Sequence, residues 1–383
     1  MTNNFVPFAL LIAAFMLLYV LLYGHISERA SGFYFKSKEE NWYTWLKSFH
    51  SSSNVDLSTT GEDYTAIKTE EHSTSGMPHL VHFNLMDQTR VEHKETIMPP
   101  LQIDKLIQYP NWDFEEVYPR DKQPRQTMCP QSVVHSEDQS FKKAFIPDIQ
   151  LYLYRNQLNV KEWNRLAHFN NPFGFMGYTN YTEIKEVVDM IPEPKEPLLS
   201  QEKPGCKRCA VVAAGGILKG SKKGKEIDSH DYVFRMNGAI TKGYEEDVGN
   251  RTSVYVHSAH AIIQSPRIFH KFGYKKAPHD EGIKYVLIPE GNRDFRWLHG
   301  LFRKQTVSKG EYRNTLPSSY YSGQFDEKRF YVLHPDFLRY IRNRFLDSAA
   351  LKGRYWSIFR PTNGAFTLFL ALHTCDVVRW YSL

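Results

Sequence analysis

Residues able to grip a phosphate gather at two places in this chain. The first is Ala213-Ala214-Gly215-Gly216, directly after the apolar run Cys209–Val212. A glycine turn after a buried strand lets backbone N–H groups approach an anion closely, so a nucleotide is the first ligand to test. The second is Thr362-Asn363-Gly364, ahead of the apolar stretch FTLFLALHT. Thr362 or Asn363 can cap a helix there, and a helix N-terminus offers free N–H groups and the positive end of the helix dipole. Between them, Asn237-Gly238 follows the apolar run Tyr232–Met236.

The familiar phosphate motifs do not fit. Gly215-Gly216-Ile217-Leu218-Lys219-Gly220 lacks the glycine spacing of a dinucleotide fingerprint, and Ser221-Lys222 stands where a P-loop needs Lys then Ser or Thr. There is no H-E-x-x-H and no D-x-D in the sequence, which favours a metal-independent route for any sugar-nucleotide chemistry. Lys219, Lys222, Lys223 and Lys225 read as a solvated loop. His257 and His260 read as structural or surface residues, since neither has a carboxylate close by in sequence.

The elements that must hold these residues are short apolar runs bounded by glycine and polar clusters, as buried strands of an α/β sheet are. Such runs lie at Cys209–Val212, before Arg235-Met236-Asn237-Gly238, around Ser253–Val256, at Ile283–Pro289 and at Tyr331–Leu333. Helical spacing of apolar residues marks Val160–Phe169, Tyr181–Ile191 and a helix from Pro335 with Phe337, Ile341 and Phe345 on one face. Phe5–Tyr23 is an uncharged apolar run long enough to span a bilayer, and it reads as an uncleaved signal-anchor. The sequence therefore divides into a tail of residues 1–4, an anchor of 5–23, a polar, disordered stem of 24–124 rich in Ser and Thr, and a lumenal domain of 125–383. Order returns near Trp112-Asp113-Phe114-Glu115.

Four cysteines, Cys129, Cys206, Cys209 and Cys375, suit either a C-x-x-C redox or zinc motif or two disulfides, and a lumenal location favours disulfides. The formal charge of +6 comes from 48 basic residues dispersed among 42 acidic ones, which gives no nucleic-acid footprint.

Assembled, these residues resemble the animal sialyltransferase family. From Cys209, the segments CAVV, the glycine turn, IDSHDYVFRMNGA and DVGNRTS follow in the order of that family's large sialylmotif. Arg360-Pro361-Thr362-Asn363-Gly364 through Cys375-Asp376 is similar to the start of its small sialylmotif. WDFEEVY, CPQSV, EWNRLAHF, NPFGFM and LHPDFLRYIRNRFL extend the likeness over about Trp112 to Asp376, nearest to members acting on O-linked N-acetylgalactosamine (GalNAc). The resemblance implies a modified Rossmann-like, GT-A-type α/β domain in a single-pass type II protein of the Golgi membrane. It implies CMP-sialic acid as donor, the 6-hydroxyl of GalNAc on Ser or Thr of glycoproteins as acceptor, and no metal or other cofactor. It further implies disulfides Cys209–Cys375 and Cys129–Cys206, and donor contacts from Asn237, Thr362, Asn363 and Gly364 beside the Gly215-Gly216 turn. In a lumenal domain, Asn180 and Asn250 would be N-glycosylation acceptors.

Two departures from the family pattern stand out. Ala214 occupies the place of a family asparagine that helps hold the nucleotide. After Cys375-Asp376 the family pattern continues with a strand and two further motifs, the last carrying the histidine that serves as base. Here Val377–Leu383 follows instead. The expectation is a fold incomplete at its C-terminus, with no catalytic base assignable to a residue of this sequence and little turnover. The alternative expectation is a silent form that binds CMP-sugar or associates with intact enzyme and other glycosyltransferases.

Overall fold

The structure, a computed structural model, describes residues 95–122, 125–200, 205–346 and 348–381. The expected anchor at 5–23 and most of the stem lie outside these residues. Among the described residues no helix is long and apolar enough to cross a membrane.

Among the described residues three α-helices precede the sheet: α1 (Gln139–Ala144), α2 (Val160–Leu166) and α3 (Tyr181–Met190). Six strands follow, β1 (Arg208–Val212), β2 (Tyr232–Met236), β3 (Val254–His257), β4 (Lys284–Leu287), β5 (Phe330–Val332) and β6 (Val377–Tyr381). Between β1 and β6 the chain forms α4 (Gly224–Asp228), α5 (Glu245–Val248), α6 (Ala259–Ile268), α7 (Asn292–Arg303), α8 (Pro335–Phe345) and α9 (Asn363–Thr374). All six strands are parallel, in the order β5-β4-β3-β2-β1-β6. The chain steps outward from β1 to β5, then returns through α8 and α9 to lay β6 on the far side of β1.

The five apolar runs singled out in the sequence are β1 to β5, and β2 and β3 are buried along their whole length. Burial on both faces is why these strands read as continuous apolar runs rather than alternating ones. Val377–Tyr381, which the sequence reading placed beyond the resemblance, is a strand: Arg208 pairs with Val377 and Val212 with Tyr381. α9 is apolar around most of its circumference and is buried to match.

α2 ends at Leu166, before the Phe169 expected from periodicity. The chain doubles back over the helix end, and the N–H groups of Phe169 and Phe175 both donate to the Leu166 carbonyl. A Cβ at Gly174 would lie 2.1 Å from that oxygen, so only glycine permits the return. Within the segment assigned to the stem, the Met98 N–H donates to Asn164 Oδ1 and Trp356 Nε1 donates to the Leu106 carbonyl. These residues are already fastened to the domain.

Both disulfides join sequence-distant elements. Cys209 in β1 is bonded to Cys375, the residue that ends α9, and Cys129 to Cys206.

Candidate donor site at the carboxyl edge of the sheet

In a parallel α/β sheet, loops at the carboxyl ends of the strands and the N-termini of the following helices share one edge. Asn237 leaves β2 at that edge with φ 51°, a left-handed conformation that asparagine tolerates better than most residues. Its N–H donates to the Val256 carbonyl, and its own carbonyl accepts from the hydroxyls of Tyr255 (2.7 Å) and Tyr274 (3.1 Å). Burial pushes both phenols up, so they remain protonated donors. Gly238 follows because the Phe269 ring comes within 2.3 Å of where a Cβ would stand.

The second half of the site is the start of α9. Thr362 caps it through Oγ1, which accepts from the Ala365 N–H at 3.2 Å. Asn363 Nδ2 donates to Asn237 Oδ1 at 3.2 Å, bridging residues 126 positions apart. A Cβ at Gly364 would make ordinary contacts with Trp380 of β6 and Met236 of β2, which places this helix start over the edge formed by those strands. Gly215 and Gly216 follow β1 at the same edge. Gly215 has φ −75°, open to any residue, and a Cβ at Gly216 would meet nothing within 4 Å. Packing does not demand the glycine at 216, and Ala214, Gly215 and Gly216 are all exposed. The structure thus brings Asn237, Thr362, Asn363 and Gly364 together, with the Gly215-Gly216 turn on the neighbouring strand end.

A second polar group, invisible to the sequence reading, lies against this one. Glu290, at the end of β4, accepts from Arg360 Nη2 at 2.7 Å and pairs with Arg293 at 3.2 Å. Burial alone would raise the Glu290 carboxyl. The Arg360 guanidinium overrides it, with further hydrogen bonds from Ser258 and Asn363, and holds the carboxyl below its usual range. The signal available in the sequence was position: Pro289-Glu290-Gly291-Asn292-Arg293-Asp294 is a polar run directly after a buried parallel strand, where α/β sites form.

Asp294 is fully buried, and its Oδ1 accepts from the Ala259 N–H at 2.7 Å, fastening the first turn of α6 to that of α7. Burial, reinforced by the charge on Glu290, pushes its carboxyl up to about 7. A carboxyl that holds its proton more tightly when folded stabilises the fold at low pH. That contribution drains away as pH rises from the unfolded value near ~4 towards the folded one, at up to ~1.4 kcal/mol per pH unit. Asp294→Asn is therefore expected to flatten the stability profile between about pH 4 and 7 by nearly one proton. Urea midpoints of the two proteins across that range check this, and parallel profiles would exclude it.

The remaining candidates resolve as follows. His257 and His373 are buried, and desolvation lowers each to about 4. His373 faces the Phe369 and Ile146 carbonyls, inside the core. His260 is half exposed; it does have a carboxylate partner, Glu311 at 3.8 Å, together with the Tyr312 hydroxyl at 2.7 Å. The partner sits on a loop 51 positions away, beyond the reach of local sequence reading. Lys219, Lys222 and Lys225 are exposed, as a solvated loop requires, and Asp247 fastens that loop by accepting from the N–H groups of Gly220 and Lys222.

A parallel sheet with paired asparagines and a capped helix N-terminus at its carboxyl edge defines an α/β protein of the class that places its ligand site at that edge. The chain belongs to glycosyltransferase family 29, the sialyltransferases, whose pattern it matches over residues 152–382. It is 44% identical to human alpha-N-acetylgalactosaminide alpha-2,6-sialyltransferase 1 over 281 residues, which covers 71% of this chain and 47% of that protein. Identity to mouse alpha-N-acetylgalactosaminide alpha-2,6-sialyltransferase 2 is 33% over 279 residues, covering 71% and 74%. The chain spans about half the length of the type 1 relatives it matches. A crystal structure of a mammalian sialyltransferase superposes with a TM-score of 0.47 at 24% identity, over 68% of this chain and 84% of that one.

Proposed function

We propose that this protein binds CMP-sialic acid and transfers sialic acid to the 6-hydroxyl of GalNAc carried on Ser or Thr of glycoproteins. The observation that carries the reading is the Asn363–Asn237 amide contact at 3.2 Å, which assembles two distant motifs into one anion-facing edge. The acceptor rests on the relatives, 44% and 43% identical, that are named for GalNAc α-2,6 transfer. Asn237 and Asn363 would hold the donor by hydrogen bonds. The N–H groups at the start of α9, with the positive end of its dipole, would meet the donor's anionic oxygens. Transfer also needs a base for the acceptor proton. Neither His257 nor His373 is offered for it, since both are buried.

The reading carries with it a modified Rossmann-like, GT-A-type domain on a stem, held in the Golgi membrane by residues 5–23 and facing the lumen. Two disulfides support an oxidising compartment, and both Asn180 and Asn250 are exposed for glycosylation.

Incubating the full chain with CMP-sialic acid and an α-GalNAc peptide is expected to add one sialic acid in 2,6-linkage, read by mass spectrometry, at the low turnover expected where no residue is assigned as base. Failure to bind CMP-sialic acid would sink the reading. Asn237→Ala removes a hydrogen bond to a charged ligand, worth about 1.5–3 kcal/mol, so donor affinity should fall about 10- to 150-fold. Unchanged affinity by titration calorimetry would remove Asn237 from the site.

A further inference from the structure

We propose that Glu290 is a positioning residue that sets which way the side-chain amide of Asn237 faces, so that its N–H groups are turned towards the donor. This rests on the reading above. A side-chain amide can present either its oxygen or its nitrogen, and only its partners decide which. Here the chain of partners begins with a group of fixed polarity. Glu290, a carboxylate, can only accept, and Arg360, a guanidinium, can only donate. Arg360 Nη2 gives its hydrogen bonds to Glu290 Oε1 at 2.7 Å and to Asn363 Oδ1 at 3.4 Å. The Asn363 atom facing Arg360 must therefore be the oxygen, and its nitrogen must point the other way. That nitrogen donates to Asn237 Oδ1 at 3.2 Å. With Asn237 Oδ1 engaged inside the protein, Asn237 Nδ2 is the atom left for a ligand.

The polarity suits the ligand. CMP-sialic acid offers phosphate, carboxylate and carbonyl oxygens, all acceptors, so an inward-facing Asn237 nitrogen would leave oxygen against oxygen. Glu290 is well placed for this control. Its side chain is only 9% exposed and is fixed by Arg360, Arg293, Ser258 and Asn363, while Asp294 stands next along the start of α7. The Asn237 backbone is held independently by Val256, Tyr255 and Tyr274, so the relay acts on the direction of the amide rather than on the strand end.

Titration calorimetry of the full chain with CMP-sialic acid tests this, because it separates the dissociation constant from the fraction of protein able to bind. Glu290→Leu removes the acceptor that fixes Arg360 and should raise the dissociation constant at least tenfold with the binding fraction unchanged. Glu290→Gln keeps an acceptor for Arg360 and should retain most of the affinity, within about threefold. In Asn237→Ala the amide is gone, so adding Glu290→Leu should weaken binding no further. A wild-type dissociation constant in Glu290→Leu would overturn the proposal. So would a Gln variant as weak as the Leu variant, or full additivity of Glu290→Leu with Asn237→Ala. A lowered binding fraction at constant affinity would reduce Glu290 to a structural role. If wild-type protein itself fails to bind CMP-sialic acid, the proposed function falls instead.

Discussion

Replacing Cys209 and Cys375 together by serine is expected to destabilise the domain by about 5 kcal/mol. The bond closes a loop across a sequence separation of 166 residues. In the chain-entropy model a loop of that length restricts the unfolded chain by roughly 5 kcal/mol. Both partners sit in the core, Cys209 within β1 and Cys375 at the end of α9, each fully buried. At roughly 2–4 °C per kcal/mol for a domain of this size, the melting temperature should drop by about 10 °C or more. The double variant is the right one. A single serine would leave a thiol free to exchange with the Cys129–Cys206 bond, whose Cys206 lies three positions from Cys209. Calorimetry without reductant measures the shift, and melting within about 2 °C of the wild type would show that the bond adds nothing to the packing of α9. Because α9 also carries Thr362, Asn363 and Gly364, loosening its far end should weaken CMP-sialic acid binding as the temperature approaches the new midpoint.

Removing the carboxylate of Asp336 should cost about 3–5 kcal/mol, the usual consequence of leaving buried charges without their partner. Asp336 is completely buried in the first turn of α8. It accepts from Arg165 Nη2 at 2.5 Å and Nη1 at 3.1 Å, and from Arg339 Nη2 at 2.7 Å and Nε at 3.1 Å. Arg339 in turn lies over the Phe169 and Tyr118 rings and donates to the carbonyls of Glu115 and Val117, strapping the WDFEEVY segment to the domain. Burial would raise the Asp336 carboxyl, but the hydrogen bonds from Arg165 and the surrounding positive charges hold it down at about 2. A carboxyl with a depressed folded pKa stabilises the protein above its unfolded value, near ~4, and that stability is lost as pH falls towards the folded one. Asp336→Ala should therefore unfold at lower guanidinium concentration at pH 7. It should also lack the part of the wild-type acid transition that falls between about pH 4 and 2. Faster proteolysis around residues 112–118 would accompany the loss of the strap. A variant within 1 kcal/mol of wild type, with the acid transition intact, would show that Arg165 and Arg339 find other acceptors.

The relatives and the residues agree on the class of chemistry, and the structure adds how the site is wired. Ala214 lies exposed just beyond β1, and its methyl group offers a ligand no hydrogen bond. The Asn237–Asn363 contact and the Glu290 relay lie beyond the ends of β2 and β4 and at the start of α9. Donor recognition in this chain is therefore expected to lean on β2, β4 and α9 rather than on the turn after β1.

The sequence alone determined the elements. The apolar runs of β1 to β5, the capped start of α9 and the helical faces of α2, α3 and α8 are local patterns. They are legible because burial on one or both faces imposes a period on the residues. Asn237 follows one such run and Thr362, Asn363 and Gly364 precede another, but only the resemblance to the family marked them as donor contacts. Tertiary structure decided everything that depends on long-range pairing. Glu290 reads as one charge in a polar loop until folding buries it between Arg293 and an arginine 70 positions away. Asp336 reads as an ordinary first-turn acid until Arg165, 171 positions earlier, closes over it. His260 acquires Glu311 only when the loop beyond α7 returns to the start of α6. Residue type tells which groups can carry charge or hydrogen bonds. What each does depends on which partners exclude water from it, and sequence spacing does not encode that.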